Sequence, residues 1–386
     1  MYNNRRDNMI SKTVYNLYGA LQVTLNVNMK IWESNGIEFT PESVLPLQLL
    51  SLKKRPHLLK ILTATALFLT RYLYPGLYPV LFFQLLKASV LLPFRKKRAR
   101  LSKLEDTLLF YGSGRLFQTY ASSGRDDKCT IFCVSGKTAT VPPEFSGCPQ
   151  VLFWDLISFS DIWKCCGPLC ALIKLQKRHR RSQYVMLQAL ELLLVEKALQ
   201  NYPGLRRIVF CNADRWSYIC TALKGCEKIF MQHGLFSAKL TPVYFSHKWQ
   251  EVSLFYGYAN EQAEIISSCI RKFGAVSYFK PQLSLSPLRH SDSRSGVLLI
   301  CCSTLFLEKE IEIIKQYASD PEFALYVKPH PVHPQKPYTE LMDRYDFILI
   351  NEKDYFPDVD LVIAYSSTLA YEYQLCGKKV IIHSEW

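Results

Sequence analysis

The chain has 386 residues, 49% of them hydrophobic and 21% charged, which excludes disordered and collagen-like classes and leaves room for two or three cores. Lysine and arginine number 47 against 33 acidic residues, a formal net charge of +14 that favours phosphate-bearing partners such as anionic lipid, nucleotide-sugars or nucleic acid. No paired Cys/His zinc spacing, aromatic RNP-like signature or compact basic recognition helix accompanies that charge, so nucleic acid is not expected as a partner.

In chain order, residues 9–33 read as a helix with Ile10, Val14, Leu17, Leu21 and Leu25 at near-helical spacing. The start has no apolar h-region followed by a small-residue cleavage site, so a cytoplasmic location is expected. From Leu58 to Phe94 the chain is strongly apolar. It is interrupted by Arg71, a break at Tyr74–Pro79, and Lys87, and flanked by Lys53-Lys54-Arg55 and Arg95-Lys96-Lys97-Arg98. A spanning helix needs about 20 consecutive apolar residues. Two shallow interfacial helices on an anionic membrane surface fit this pattern better than one span, and buried core helices with solvated flanks are the alternative.

Beyond the basic run, short β-like segments alternate with helices, the pattern of a parallel sheet. Strands are predicted at Leu108–Tyr111, Thr130–Val134 and Val151–Trp154, a helix over Ser182–Gln200, then strands in RRIVF and EKIFM around a helix in CNADRWSYICTALKG. The segment KPQLSLSPLRHSDSRSG, rich in Ser and Pro, reads as a linker. A second unit follows, with strands at Gly296–Ser303, Ala324–Val327, Phe347–Ile350, Leu361–Ala364 and Lys379–Ile382, and helices at Leu307–Tyr317 and Thr368–Cys376. The division expected is a helical, basic extension over 1–104, a Rossmann-like domain over 105–285 and a second over 286–386. The 13 cysteines are odd in number and scattered, with adjacent pairs Cys165/Cys166 and Cys301/Cys302, which points to a reducing compartment. Cys165, Cys166 and Cys170 have no matching second Cys/His cluster, so no metal is expected there.

Three loops at predicted strand ends concentrate the polar chemistry, the edge where open α/β sheets bind ligands. In Met231-Gln232-His233-Gly234 an imidazole sits beside a glycine; His233 can serve as a base for an acceptor hydroxyl, or can simply bond loop backbone. In Tyr326-Val327-Lys328-Pro329-His330-Pro331 two prolines rigidify a loop carrying Lys328 and His330, groups that can bind or protonate a leaving phosphate; the alternative is a solvated Pro-rich connection. In Tyr365-Ser366-Ser367-Thr368-Leu369-Ala370-Tyr371-Glu372 three hydroxyls end a strand and open a helix, an anion site or a plain N-cap. Glu372 falls on the face of Thr368, where it can accept hydrogen bonds from a ribose or pair locally.

KPHP followed by SSTLAYE, expected on adjacent strands of one αβ unit, resembles the nucleotide-binding domain of GT-B glycosyltransferases. The families it is most similar to are the bacterial sialyl-, polysialyl- and Kdo-transferases and, through the added His-Gly loop, the CDP-glycerol glycerophosphotransferases. The resemblance covers residues 205–386. It implies a GT-B-like α/β fold with two Rossmann-like domains facing a cleft, behind a helical N-terminal extension. It also implies a CMP- or CDP-linked donor and transfer to a glycan or lipid-linked glycan of a surface polysaccharide, while the basic-flanked segment Leu58–Phe94 is expected to attach the chain to the cytoplasmic face of the membrane. His330 would contact the donor phosphate; Ser366, Ser367 and Thr368 would cradle it; Glu372 would bind the ribose; His233 would sit at the acceptor side. No metal and no cofactor beyond the nucleotide-activated donor is expected. The sequence departs from the sialyltransferase pattern in lacking an Asp/Glu-Asp/Glu-Gly motif, of which Arg125-Asp126-Asp127-Lys128 is a poor echo, and in stopping at Trp386, short of the usual terminal helices. A GT-B-fold sugar-nucleotide 2-epimerase and a catalytically degenerate membrane-bound assembly component are the competing readings.

Overall fold

The computed structural model describes residues 12–34, 77–95, 104–111, 115–125, 128–134, 138–176, 188–211, 213–234, 236, 238, 241–279, 294–301, 307–329, 336–352, 355–365 and 367–383. The chain divides into two compact units: Met1–Gln232 with Ala238–Tyr278, and His233–Ser237 with Phe279–Trp386.

The first unit opens with α1 (Lys12–Ser34) and α2 (Leu77–Arg95). The remainder of the apolar segment expected to form interfacial helices, residues 58–76, lies outside the described residues. A βα alternation follows: β1 (Thr107–Tyr111), α3 (Arg115–Ser122), β2 (Thr130–Cys133), β3 (Gln150–Leu152), α4 (Phe159–Lys164), α5 (Cys166–Gln176), α6 (Ala189–Gln200), β4 (Arg207–Phe210), α7 (Arg215–Ala222), β5 (Glu227–Met231), α8 (Thr241–Tyr244), β6 (Trp249–Gly257), α9 (Asn260–Ser267) and β7 (Ile270–Tyr278). All seven strands pair in parallel in the order β3-β2-β1-β4-β5-β6-β7.

Period-2 alternation in the strands separates two apolar faces. On one, Leu109, Ile131, Val209 and Ile229 pack with Leu116, Phe117 and Tyr120 of α3. On the other an aromatic row crosses the sheet, with Phe110 and Phe132 5.6 Å apart, Phe210 and Phe230 5.2 Å, and Phe230 and Phe255 5.6 Å. Trp216 of α7 lies 5.9 Å from Phe110. Asp214 starts α7, its Oδ1 accepting from the Trp216 amide at 2.8 Å. The first helix packs on α7 through Gly19, where an added Cβ would come within 2.5 Å of the Tyr218 ring.

The second unit contains β8 (Ser295–Cys301), α10 (Leu307–Ala318), β9 (Phe323–Pro329), α11 (Lys336–Met342), β10 (Ile348–Leu349), β11 (Leu361–Ala364), α12 (Thr368–Leu375) and β12 (Lys379–Ile382). Its five strands are parallel in the order β10-β9-β8-β11-β12. Val297, Leu299, Leu325, Val327 and Ile363 meet α10 and α11 on one face; Leu298, Ile300, Val362 and Ala364 meet α12 on the other. Gly377, at φ +82, takes the left-handed conformation that stops α12 and turns the chain into β12.

Each sheet runs third, second, first, fourth, fifth in its own strand sequence, the Rossmann order, so the expected α/β class with two Rossmann-like sheets and N-terminal helices is the one observed. Two features depart from expectation. The long strands β6 and β7 with α9 between them were not assigned as elements from the sequence. The KPHP and SSTLAYE segments are not on adjacent strands: β8 lies between β9 and β11, because the chain after β10 returns across the sheet and pairs the fourth strand with the free side of the first.

Candidate functional site

In an open sheet of this order the ligand crevice lies outside the carboxyl ends of the strands, at the point where the order reverses. In the second unit that point falls between β8 and β11. The register places Ile300, Lys328, Ala364 and Ile382 level across four strands, so the chain leaves all four at one height. The exits of β9 and β11 are two strand spacings apart, about 10 Å.

Ser367 initiates α12. It is extended, at φ −146° and ψ 128°, and its Oγ accepts from the Leu369 amide at 3.1 Å. The N-terminus of α12, with its share of the helix dipole, therefore opens at the crevice. Thr368 is the first helical residue, and Glu372 is buried within the helix. Ser366 and His330 lie outside the described residues.

Lys328 has a different setting from the one expected. Rather than standing beyond the strand end, its side chain is buried, and Nζ donates to the carbonyls of Glu352 at 2.7 Å and Tyr355 at 2.8 Å. It also lies 5.0 Å from the centre of the Phe356 ring. A phosphate would have to compete with these contacts for the ammonium. They brace the segment after β10 against β9, where the Ile350 amide donates to Val327 O at 2.8 Å. The same segment is held to α12 by Tyr373, whose Oη donates to Pro357 O at 2.9 Å. Burial raises the Tyr373 phenol well above its ordinary value and keeps it a neutral donor.

Three groups not singled out in the sequence gather at the reversal point. Tyr365, the first residue past β11, stacks on His383 with ring centroids 5.0 Å apart and planes at 28°. Lys309, exposed in the first turn of α10, holds Nζ 5.8 Å from the Tyr365 ring centre. His383 is tied in by its amide, which donates to Ala364 O at 2.9 Å. Tyr365 itself is buried in the core beneath β11 and backs the exposed His383 ring, so the edge offers a cation, a helix N-terminus and one accessible flat ring, a set suited to an anion joined to an aromatic base. The sequence signal for Lys309 was weak, because a lysine in a helix is ordinary; its place on the helix that follows the unit's first strand is what brings it here.

In the first unit the equivalent edge includes the exit of β5. Gln232 is fully buried and fixed there: its amide donates to Tyr256 O at 2.8 Å, its Oε1 accepts from the Tyr258 amide at 2.9 Å, and its Nε2 donates to Gln262 Oε1 at 2.8 Å. His233 follows, half-buried, and residues 233–237 are grouped with the second unit. Of the acidic echo, Asp126 and Asp127 lie outside the described residues, while Arg125 donates to Tyr256 Oη at 3.1 Å. Among the described residues no group of three or more His, Cys, Asp or Glu side chains is placed to hold a metal ion.

A cavity of about 610 Å³ in the first unit is lined by Asn16, Glu196, Gln200, Tyr202 and Lys224. These residues lie on α1 and α6 and in the turns leading into β4 and β5, at the opposite edge of the sheet from the loops above. Burial raises the Glu196 carboxyl above its ordinary value.

No family model matches the sequence, and no curated protein matches it. Solved structures do. The chain is similar to the spinosyn rhamnosyltransferase SpnG, with 11% identity, coverage of 72% of this chain and 80% of that one, and a TM-score of 0.39. The same enzyme complexed with spinosyn aglycone matches with 10% identity, coverage of 71% and 79%, and a TM-score of 0.36. HepE (Alr3699) of Anabaena, solved in complex with UDP and glucose, matches with 13% identity, coverage of 72% and 80%, and a TM-score of 0.42. Likeness at this level is too remote to carry a function across.

Proposed function

We propose that this chain is a glycosyltransferase that moves a sugar or sugar-like acid from a CMP- or CDP-linked donor to a growing surface glycan, working at the cytoplasmic face of a membrane. The observation that carries the reading is the convergence, near the reversal point of the second sheet, of the α12 N-terminus, the Lys309 ammonium and the exposed His383 ring backed by buried Tyr365. That set matches the two ends of a nucleotide, a phosphate and a base.

In this reading the acceptor hydroxyl displaces the donor's nucleotide in a single step. His233 takes the hydroxyl proton as the new glycosidic bond forms, and the sugar–phosphate oxygen bond breaks with its electron pair leaving on the phosphate. His330, the hydroxyls of Ser366, Ser367 and Thr368, and the α12 N-terminus stabilise that charge. Lys309 supplies the neighbouring positive charge in place of Lys328, whose ammonium is engaged by backbone carbonyls. Glu372 is the candidate for the ribose hydroxyls.

Nucleotide-dependent thermal stabilisation tests the reading. A ligand that binds only the folded chain at a hundred times its Kd adds about 2.7 kcal/mol. CMP or CDP should raise the unfolding temperature more than UDP or GDP. Failure of all four to shift it contradicts the proposal, and nucleotide release from a sugar donor without acceptor favours the epimerase reading instead.

A further inference from the structure

Helix α2 is apolar apart from Gln84, Lys87, Ser89 and Arg95 and carries no acidic residue. A helix of that kind is covered by protein or by lipid. Among the described residues, protein covers one of its faces: Leu81, Leu85, Ala88 and Leu92 are buried, and the helix packs against α4, α5 and α6. The opposite face presents Phe82, Phe83, Leu86, Val90 and Phe94, with Phe83 65% and Phe94 83% exposed. Helix α4, far away in sequence, extends this surface. Its Phe159 is 58% exposed and lies 6.2 Å from Trp163, and Trp163 meets Phe82 edge-on at 5.8 Å. Soluble proteins rarely leave a contiguous apolar surface of this extent in water.

We infer that this composite face of α2 and α4 docks the protein on an anionic bilayer, with α2 lying in the plane of the headgroups. Charge decides the occupant. Lys87 is exposed on α2, Lys164 beside Trp163 has a side chain 63% exposed with Nζ 3.4 Å from the buried Asp161 carboxylate, and in sequence the helix ends in Arg95-Lys96-Lys97-Arg98. A second copy of this chain would bring two such basic surfaces together, which repel, whereas acidic headgroups attract each lysine or arginine by about 1 kcal/mol. The geometry fits as well. The helix is about 28 Å long, Lys87 and Pro93 interrupt it, and among the described residues no helix is long and apolar enough to cross a membrane. Phenylalanine and tryptophan on a basic-flanked helix suit insertion into the headgroup boundary. The inference deepens the membrane attachment of the proposed function but does not rest on the transfer chemistry.

Flotation of the full chain with vesicles of phosphatidylcholine, alone or with roughly one-third phosphatidylglycerol, tests it without donor or acceptor. The protein should float with the anionic vesicles and dissociate as salt rises. Phe83→Ser with Phe94→Ser, at exposed positions that leave the core intact, should weaken binding about tenfold per ring. Lys87→Glu should weaken binding to the anionic vesicles alone, by several-fold. Absence of flotation, or a double variant that floats like the parent, overturns the inference. So does a dimer in solution that ignores vesicles and is dissolved by the double variant, since the face would then be a contact between copies. Because vesicle binding needs no nucleotide, its failure leaves the transfer reading standing, and failure of nucleotide binding leaves the docking face standing.

Discussion

Lys328→Met separates a brace from a phosphate ligand at the same residue. The substitution keeps most of the aliphatic stem and removes an ammonium that donates at 2.7 and 2.8 Å to the carbonyls of Glu352 and Tyr355 and lies 5.0 Å from the Phe356 ring centre. Each hydrogen bond from a charged group contributes about 1.5–3 kcal/mol, and the cation–ring contact about 0.5–2. Removing the buried charge also relieves its desolvation, which offsets part of that loss. The expected net destabilisation is about 1–3 kcal/mol, well above the ~0.5 kcal/mol typical of an exposed lysine. It should concentrate where the brace acts, so hydrogen exchange at the Ile350 amide, which bonds Val327 O, should accelerate along with a lower denaturation midpoint. A variant within ~0.5 kcal/mol of the parent, with unchanged exchange and a large loss of CMP affinity, would refute the brace and return Lys328 to the phosphate.

Substitutions at three further positions test the packing around the two sheets. Gly19→Ala places a methyl 2.5 Å from the pinned Tyr218 ring, and an overpacking cost of about 1–3 kcal/mol should exceed the helix-propensity gain of about 1, lowering the thermal midpoint; a rise would count against the close α1–α7 contact. Hydrogen bonds from Lys272 and Lys228 hold the Glu251 carboxyl down to about 2 from an ordinary 4.5, so its stabilisation is complete above 4.5 and is lost as pH falls toward 2. Glu251→Gln should leave the buried Lys228 without its carboxylate, cost about 2–4 kcal/mol at neutral pH and flatten the urea midpoint between pH 5 and 2; unaltered acid sensitivity would contradict this. Ser367→Ala removes the cap on the Leu369 amide and should cost about 1 kcal/mol, and Ser367→Gly a few tenths, read from chemical denaturation of the full chain; no difference between them would argue against the cap.

Strands β8, β9, β11 and β12 were legible because short apolar runs bounded by turn residues leave few alternatives, and β11 and β12 match their predicted limits. The strands that escaped, β6 and β7, have reasons in their surroundings. Residues Trp249–Gly257 bury about every third side chain rather than every second, and Ile270–Tyr278 is an edge strand with most of its side chains exposed. Neither has the period that marks a half-buried strand. Loop chemistry was partly legible: the hydroxyl run at 366–368 announced a helix start, which Ser367 makes. Strand order was not, because the return of the chain across the sheet after β10, and not any motif, puts β8 between the KPHP and SSTLAYE segments. The same topology brings Lys309 and His383, unremarkable in sequence, to Tyr365. For α2 the apolar composition was visible, but which face the protein covers depends on α4, α5 and α6, elements remote in sequence.

The most direct test of the central claim, a nucleotide held at the carboxyl edge of the second sheet, is calorimetric titration of CMP into the full chain and its His330→Ala and His233→Ala variants. Binding to the parent should saturate at one site. A charge-assisted hydrogen bond of roughly 1.5–3 kcal/mol predicts that His330→Ala weakens it about ten- to a hundredfold, while His233→Ala leaves affinity nearly unchanged and abolishes transfer. Loss of CMP binding in His233→Ala with binding intact in His330→Ala, or no saturable binding of CMP or CDP to the parent, would contradict the account.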